Sequence, residues 1–576
     1  MKRPFSIFCD WSMHDELGDH VELDERMTLR ALKTLERWKT KFSVGFDYYL
    51  LDAFWFDVNQ PYTAFKKPHW PKGFERARRE IMDLGMRPGL WYSINSHGFK
   101  VKSWAGSRDN GKSFSLATGP YAQALEDAWR FAIDEWGVRC FKLDFANFWC
   151  TAALSRAPAM PTYHRNIAVL RDILLRLRRE YPDLAVLAYN SFVRWGNWLN
   201  RPMGNAFECG MDPAWLDCID YLYSGDPRPS DLPRTDLRRS IDAFQDHQVW
   251  LFSHAGIPFD RIDDHGCMIG KTNTAFYQGA HGFRRSYLAH VARGGKRDIF
   301  YGDPALLKDD DVRFLKRCRD LFFDAYGIGL ETRLIGGEPG VAPWHGFLTG
   351  GGARGLLYFV NGSTSVQHVP LIIPGLERAQ VLFQDAGPSV AVSDSYDRLT
   401  VALAPEQMAL IGLGGYAQPG LDLSVCADSP QAVSMTALPA VFRQTGEAAW
   451  EGVLTGKCPA CSRVYVTAQV TGRGVGYHNH EGIGLAERFG GQHTHDSANM
   501  RPKTHEIVAI SVKADGKLLK PAKLVPAIPV WSGISWVGKM YDPRPLMRAK
   551  AVKIQVRQQM PERPKDVEIR AYAVKF

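Results

Sequence analysis

Residues 140–145, with the sequence CFKLDF, place a lysine and an aspartate two positions apart in an apolar run. Alternate residues of a β-strand point to the same side, so Lys142 and Asp144 are predicted to share one face. A lysine near a carboxylate keeps that carboxylate ionised and can also donate to a hydroxyl, which suits a nucleophilic aspartate. A buried structural ion pair is the alternative interpretation, although such pairs are weak evidence for stability.

Other polar and aromatic side chains come directly after predicted strands. They are Asp10, Trp11, Asp52, Trp55, Ser93, Asn95, Asn190, Ser224, Asp226, His254 and Asp303. Aromatic rings stack on the apolar face of a pyranose, and two carboxyl groups can supply a nucleophile and a proton. The set is therefore typical of a site for sugar chemistry.

Short apolar runs alternate with helical patterns over the first 325 or so residues, which indicates βα repeats and a parallel sheet. The predicted strands are 5–9, 48–52, 87–92, 138–144, 184–190, 218–223, 249–253 and 298–301. Eight such repeats predict a (β/α)8 TIM barrel, in which function collects at the carboxyl ends of the strands. An open doubly wound sheet would usually carry a glycine-rich loop after its first strand, and residues 9–12 (CDWS) lack one.

The remainder of the chain changes to short alternating runs separated by turn residues, which is typical of antiparallel β structure. We predict three domains: a barrel over 1–325, an antiparallel β-sandwich over 326–418 and a further all-β domain over 419–576. The last domain is interpreted as a carbohydrate-binding module, or as a structural or oligomer-forming appendage. Its histidines (His478, His480, His493, His495 and His505) are more typical of surface loops than of a metal site.

Composition excludes several classes of protein. Of the 576 residues, 45% are hydrophobic and 23% charged, so large cores can form and long disordered stretches are not expected. The net charge of +9 is not gathered into a dense basic run, which argues against nucleic-acid binding. No apolar run reaches the ~18 residues needed to cross a bilayer, and the start lacks the apolar segment of a signal peptide. We therefore expect a cytoplasmic protein with reduced thiols, in which Cys458 and Cys461 form an isolated Cys-x-x-Cys pair.

Five segments carry a resemblance to a known family. Residues 141–144 (FKLD) resemble the Lys-x-Asp nucleophile motif of the α-galactosidases in glycoside hydrolase families 27 and 36. Residues 50–56 (LLDAFWF) resemble the strand-2 motif of those enzymes, usually Asp-Asp-Gly-Trp, and residues 87–92 (RPGLWY) look like their strand-3 segment. Residues 223–226 (YSGD) are similar to the segment with the acid/base aspartate, and 208–210 (ECG) to a family 36 segment upstream of it. The resemblance covers residues 1 to about 415.

The resemblance implies a retaining, exo-acting α-glycosidase that uses a covalent glycosyl-enzyme and requires no cofactor. It assigns Asp144 as the nucleophile and Asp226 as the acid/base, while Asp231 and Asp212 remain alternatives for the second role. The substrate, an oligosaccharide or glycoside, would be bound by the following residues. They are Asp10, Trp11, Asp52, Trp55, Trp91, Lys142, Asn190, Glu208 and Cys209.

Ala53 departs from the family pattern, because the family normally has a second aspartate there that binds galactose hydroxyls. Losing a hydroxyl-binding group changes which sugar fits, so the identity of the sugar stays open. Two further interpretations also stay open: a non-catalytic glycan-binding protein on the same scaffold, and a transglycosidase that uses the same residues. The tryptophans at 195, 198 and 215 either cover the site or pack in an ordinary loop.

Overall fold

The computed structural model describes residues 3–575 with gaps. The gaps are 12, 14–21, 97–98, 110, 112, 154, 156–157, 190–191, 193–212, 225–239, 270–282, 364–365, 385–388, 405–406, 424–433, 456, 471–507, 523–535 and 559–566. The chain divides into two compact units. The first comprises Met1–Asp226, Leu251–Met268 and Gly295–Lys308, and the second comprises Pro227–Trp250, Ile269–Gly294 and Asp309–Phe576.

The described strands of the first unit form one parallel sheet. They are Phe5–Cys9 (β1), Tyr48–Leu51 (β2), Arg87–Ser93 (β3), Cys140–Asp144 (β4), Ala185–Ala188 (β5), Tyr221–Tyr223 (β6), Ile262–Asp263 (β7), Cys267–Met268 (β8) and Arg297–Tyr301 (β9). Their order is β7-β6-β5-β4-β3-β2-β1-β9-β8. The strands at the two ends of this order, β7 and β8, are halves of the single segment 262–268. Counted as one interrupted strand, they close the sheet into the predicted eight-stranded TIM barrel.

The seventh strand of the barrel is not where the sequence predicts it. Residues 249–253 lie in an α-helix (Ser240–His254), and the interrupted segment 262–268 takes the seventh position in the barrel. It pairs with β6 through Ile262 and Asp263 and with β9 through Cys267 and Met268. His265 and Gly266 between the halves both have positive φ, and a Cβ on Gly266 would lie 2.4 Å from the carbonyl oxygen of Ile299. Only glycine fits that close approach.

Helices alternate with the strands, as predicted. The α-helices of the described residues are Glu25–Phe42 (α1), Glu75–Asp83 (α2), Tyr121–Trp136 (α3), Ala159–Glu180 (α4), Ser240–His254 (α5), Phe283–Ala292 (α6), Asp309–Gly327 (α7) and Pro543–Arg548 (α8). The carboxylate of Asp24 accepts from Met27 N and caps the start of α1. Pro120 precedes α3, and Gly137 in the left-handed conformation ends it.

Two pairs of antiparallel sheets follow in the second unit. The described strands of the first pair are Thr332–Gly336 (β10), Trp344–Gly350 (β11), Arg354–Asn361 (β12), Gln367–Ile372 (β13), Ala379–Gln384 (β14), Ala391–Ser395 (β15), Arg398–Leu403 (β16) and Met408–Gly414 (β17). They form the sheets β10-β11-β12-β17-β14 and β13-β16-β15. Leu357, Phe359, Leu399, Val401 and Ile411 of both sheets share one buried apolar cluster, as a β-sandwich requires.

The second pair has its own core. Its described strands are Ser434–Ala437 (β18), Ala440–Gly446 (β19), Ala449–Leu454 (β20), Arg463–Val470 (β21), Val508–Ala514 (β22), Lys517–Leu518 (β23), Trp536–Tyr541 (β24), Val552–Gln558 (β25) and Val567–Lys575 (β26). The sheets are β18-β26-β21-β24 and β19-β20-β25-β22-β23, around a cluster that includes Val466, Val512 and Ile554. The predicted barrel, sandwich and further all-β region are therefore all present.

Candidate active site

The floor of the candidate site is an ion pair inside the barrel. Lys142 Nζ on β4 lies 2.7 Å from Asp52 Oδ2, which comes directly after β2. Both residues are buried, with 3% of Lys142 and 1% of Asp52 exposed. The thiol of Cys9 contributes a second contact, with Sγ 3.3 Å from the same carboxylate oxygen. The ion pair of Lys142 is thus with Asp52 and not with Asp144 as predicted, because the lysine side chain extends across the barrel interior towards β2.

Aromatic rings surround the lysine. Lys142 Nζ lies 4.3 Å from the ring centroid of Tyr189, 5.1 Å from that of Tyr301 and 5.6 Å from that of Trp11. Burial by itself lowers the pKa of Lys142, but Asp52 and then weaker contributions, including Asp144, outweigh it and hold the pKa well above its usual value. Lys142 is therefore a permanent cation inside the barrel, within electrostatic reach of Asp144.

Asp10 lies behind Asp52 and is fully buried. Its Oδ1 accepts from the backbone N–H of Asp52 at 2.9 Å, and its Oδ2 accepts from the Tyr49 hydroxyl at 3.3 Å. Burial raises the pKa of Asp10 to about 8, and the neighbouring Asp52 charge adds to the rise. Asp10 therefore orients Asp52 through its backbone. Its contact with a substrate stays a prediction.

Asp144 ends β4 and is 6% exposed. Its Oδ2 accepts from the indole N–H of Trp91 at 3.1 Å, and its Oδ1 accepts from the backbone N–H of Phe145 at 2.8 Å. These two donors fix the carboxylate at the carboxyl end of its strand, where the mouth of a TIM barrel lies. A carboxylate held in this way can attack an electrophilic carbon without first reorganising.

A further cluster was not predicted. The carboxylate of Asp263 accepts from Arg297 at 2.5 Å, from the Tyr189 hydroxyl at 2.9 Å and from the backbone N–H of His265 at 2.9 Å. His265 stacks on Trp11 with 5.5 Å between ring centroids, and its Nδ1 lies 3.0 Å from the Tyr223 hydroxyl. The polar sequence DDH at 263–265 could have indicated this cluster. It is not among the predicted site residues because the seventh strand was predicted at 249–253.

Two predicted rim residues lie elsewhere in the fold. Trp55 is fully buried and donates its indole N–H to the carbonyl of Trp91 at 2.8 Å, so it packs beneath the rim. His254 is the last residue of α5, because the residues before it form a helix and not the seventh strand. Ser93, Asn95 and the Ser224 side chain are buried beside the strand ends as predicted.

Several predicted residues lie outside the described residues. Among the candidate site residues these are Asn190, Glu208, Cys209 and Asp226, together with Asp212 and Asp231 as alternatives for the acid/base. The histidines at 478–505 and the tryptophans at 195 and 198 also lie outside them. Their assignments remain predictions. Trp215 is described and is buried against Phe148 and Phe192.

Within the part of the chain that the structure describes, no group of three or more histidine, cysteine, aspartate or glutamate side chains is placed to hold a metal ion. None of the described helices combines the length and the apolar character that a membrane crossing requires. The sulfur atoms of Cys458 and Cys461 lie 4.0 Å apart as two free thiols.

Comparison with known proteins gives similarity at the level of solved structures. No protein-family model and no curated protein matches the sequence. The chain is similar to the α-galactosidase from Lactobacillus brevis, with 13% identity and a TM-score of 0.48 over 72% of this chain and 55% of that one. It is also similar to the family 36 α-galactosidase from Geobacillus stearothermophilus, with 13% identity and a TM-score of 0.48 over 72% and 56%. The chain spans little more than half the length of these proteins, and the likeness concerns the fold.

Proposed function

We propose that the protein is a retaining, exo-acting α-glycosidase of the α-galactosidase-like kind, with Asp144 as its nucleophile. The observation that carries this proposal is the Asp144 carboxylate, which ends β4 and is held by Trp91 and Phe145. It lies within electrostatic reach of the Lys142 cation, which favours the ionised form that a nucleophile needs. The sequence resemblance of residues 141–144 to the Lys-x-Asp motif supports the same role.

The proposed substrate contacts follow from the donors and acceptors of the floor. Lys142 has N–H groups beyond the one directed at Asp52, and these can donate to sugar hydroxyls. Asp52 can accept from a hydroxyl while its Oδ1 is held by the backbone N–H of Ala53. Trp11, which is partly exposed, supplies a ring face for the apolar side of the sugar.

The proposed chemistry has two steps. Asp144 attacks the anomeric carbon as the glycosidic C–O bond breaks, and the leaving oxygen takes a proton from Asp226. Asp226 then removes a proton from water, which attacks the same carbon and releases Asp144. The net configuration at the anomeric carbon is retained, because two inversions occur.

A screen of nitrophenyl glycosides tests the proposal. We expect hydrolysis of one or more 4-nitrophenyl α-glycosides among those of galactose, N-acetylgalactosamine, arabinopyranose and glucose, and none of the matching β-glycosides. NMR of the first-formed product should show the α-anomer. Release of the β-anomer would contradict the retaining mechanism, and turnover of no glycoside would contradict the proposed function.

Two sets of variants assign the roles. Asp144→Ala should abolish turnover, whereas Asp127→Ala, on the exposed face of α3, should leave it unchanged. For the acid/base, Asp226→Ala and Asp231→Ala are compared on aryl glycosides whose leaving groups differ in acidity. The true acid/base variant loses more activity on the poorer leaving groups, because these depend on proton donation.

A further inference from the structure

Phe54 is an exposed phenylalanine in an otherwise buried segment. It is 45% exposed, whereas Trp55 and Phe56 directly after it are 0% and 1% exposed. It follows Asp52, the acidic member of the floor ion pair, by two residues. A large apolar side chain held in water beside a polar site costs free energy, which a ligand that covers the ring would recover.

The ring of Phe54 belongs to an aromatic group next to Asp144. Its centroid lies 5.2 Å from that of Trp91 in an edge-to-face arrangement and 6.5 Å from that of Phe145. Trp91 also contacts Phe145 at 5.4 Å, and its indole N–H donates to Asp144. One indole therefore separates the exposed phenylalanine from the carboxylate that we assign as the nucleophile.

The exposed fraction rises from the floor of the site to this ring. Lys142 and Asp52 are 3% and 1% exposed, Asp144 is 6% exposed and Phe54 is 45% exposed. In the proposed exo-acting mechanism, the terminal sugar occupies the polar floor with its anomeric carbon beside Asp144, and the remainder of the substrate extends towards the exposed side of the site. The part of a substrate that reaches Phe54 is then the leaving group.

We propose that Phe54, supported by Trp91 and Phe145, is a specificity-determining platform for the leaving group of the glycoside. This inference rests on the proposed glycosidase function. The platform binds a flat apolar face, which an aryl ring or the C–H face of a neighbouring sugar can present. It therefore favours such leaving groups over small ones, without a part in the bond-breaking itself.

The test compares two leaving groups on one sugar. The 4-nitrophenyl α-glycoside that the wild-type protein hydrolyses is measured beside the α-glycosyl fluoride of the same sugar, which has no ring to stack. Phe54→Leu should lower kcat/KM for the 4-nitrophenyl glycoside roughly three- to tenfold and leave that for the fluoride within about twofold. Phe54→Tyr, which keeps the ring, should retain wild-type selectivity.

Phe131→Leu is the matched control, because Phe131 is also an exposed phenylalanine (37%) that packs edge-to-face on a tryptophan, but it lies on α3. It should change neither substrate. An equal loss on the nitrophenyl glycoside and the fluoride would overturn the inference while leaving the glycosidase function intact, and so would no change on either. A wild-type protein that hydrolyses neither compound would overturn the proposed function and this inference together.

Discussion

Two buried carboxylate clusters, one in each compact unit, are built differently. In the second unit the fully buried Asp246 accepts from Arg293 at 2.7 Å, from His345 at 2.8 Å and from the Tyr358 hydroxyl at 3.2 Å. Burial by itself raises the pKa of Asp246, but Arg293 and His345 outweigh it and hold the pKa below its usual value. This carboxylate is ionised and fully occupied by protein partners.

In the first unit the equally buried Asp10 receives a backbone N–H and a hydroxyl, and its pKa is raised to about 8. Asp144, at the end of β4, is held by the neutral N–H groups of Trp91 and Phe145. The cation of this cluster, Lys142, retains donors that its contact with Asp52 does not use. Burial therefore does not set the charge of a carboxylate by itself, because the groups packed against the carboxylate decide it.

Loss of turnover is the result that should separate the Asp144 cluster most clearly from the Asp246 cluster. Asp144→Asn should lower turnover by on the order of 10⁴-fold or more, because the amide cannot act as the nucleophile. Its free energy of unfolding should equal or exceed that of the wild type, since functional residues are commonly placed at a cost in stability. Kinetics on the best nitrophenyl glycoside and urea unfolding measure the two quantities. A variant that unfolds more easily and keeps its turnover would make Asp144 a structural residue like Asp246.

The second prediction concerns pH and Asp10. Its pKa is about 8 in the folded protein, against about 4 for an aspartate in water, so the folded state binds the proton more tightly. The free energy of unfolding therefore loses a contribution from Asp10 as pH rises from about 4 to about 8, by up to roughly 5 kcal/mol. Asp10→Asn should flatten the stability profile over this range and be the more stable protein at pH 8. Parallel profiles for variant and wild type would show that Asp10 is ionised throughout.

The third prediction concerns the occupied cluster. Asp246→Ala leaves the buried Arg293 without its carboxylate and should lower the free energy of unfolding by about 3–5 kcal/mol. Asp320→Ala is the control in the same unit, because its ion pair with Lys316 is exposed and should contribute less than about 1 kcal/mol. Urea unfolding of both variants gives the comparison. Equal losses would mean that burial adds nothing to the Asp246 cluster.

The smallest expected effect comes from single hydroxyl donors. Tyr358→Phe removes one neutral donor from Asp246 and should cost about 0.5–1.5 kcal/mol, with little change in the pH profile because Arg293 and His345 remain. Tyr49→Phe should cost a similar amount and also move the titration of Asp10 to higher pH, because the Tyr49 hydroxyl lowers that pKa. Unfolding measured across pH distinguishes the two variants. A shift in Tyr358→Phe and none in Tyr49→Phe would reverse the comparison.

Most of the barrel could be predicted from the sequence because most of its strands are contiguous apolar runs. Strands β1 to β6 and β9 all lie within or beside the predicted segments. The predicted position of the seventh strand was wrong because each half of that strand has only two residues, which is too short for a periodic signal. The apolar run at 249–253 carries the pattern of a strand although it is helical, since a short apolar run does not distinguish a buried helix from a strand.

The candidate site was predicted in part for a similar reason. Lys142 and Asp144 share a strand, so their common side follows from the two-residue period. The partner of Lys142 is Asp52, 90 positions away, and no local pattern encodes that contact. The cluster of Asp263, Arg297 and Tyr189 likewise joins residues of β7, β9 and the end of β5, which are distant in sequence.

The repeating βα order, the change to antiparallel strands and the residue types at the strand ends can all be read from local patterns along the chain. Local patterns do not show which polar side chains meet, that Asp10 favours its proton while Asp246 is ionised, or that Phe54 is exposed near Asp144. These properties depend on desolvation and on neighbours that are brought together by closure of the barrel and by packing within the second unit. They therefore arise only once the chain has folded.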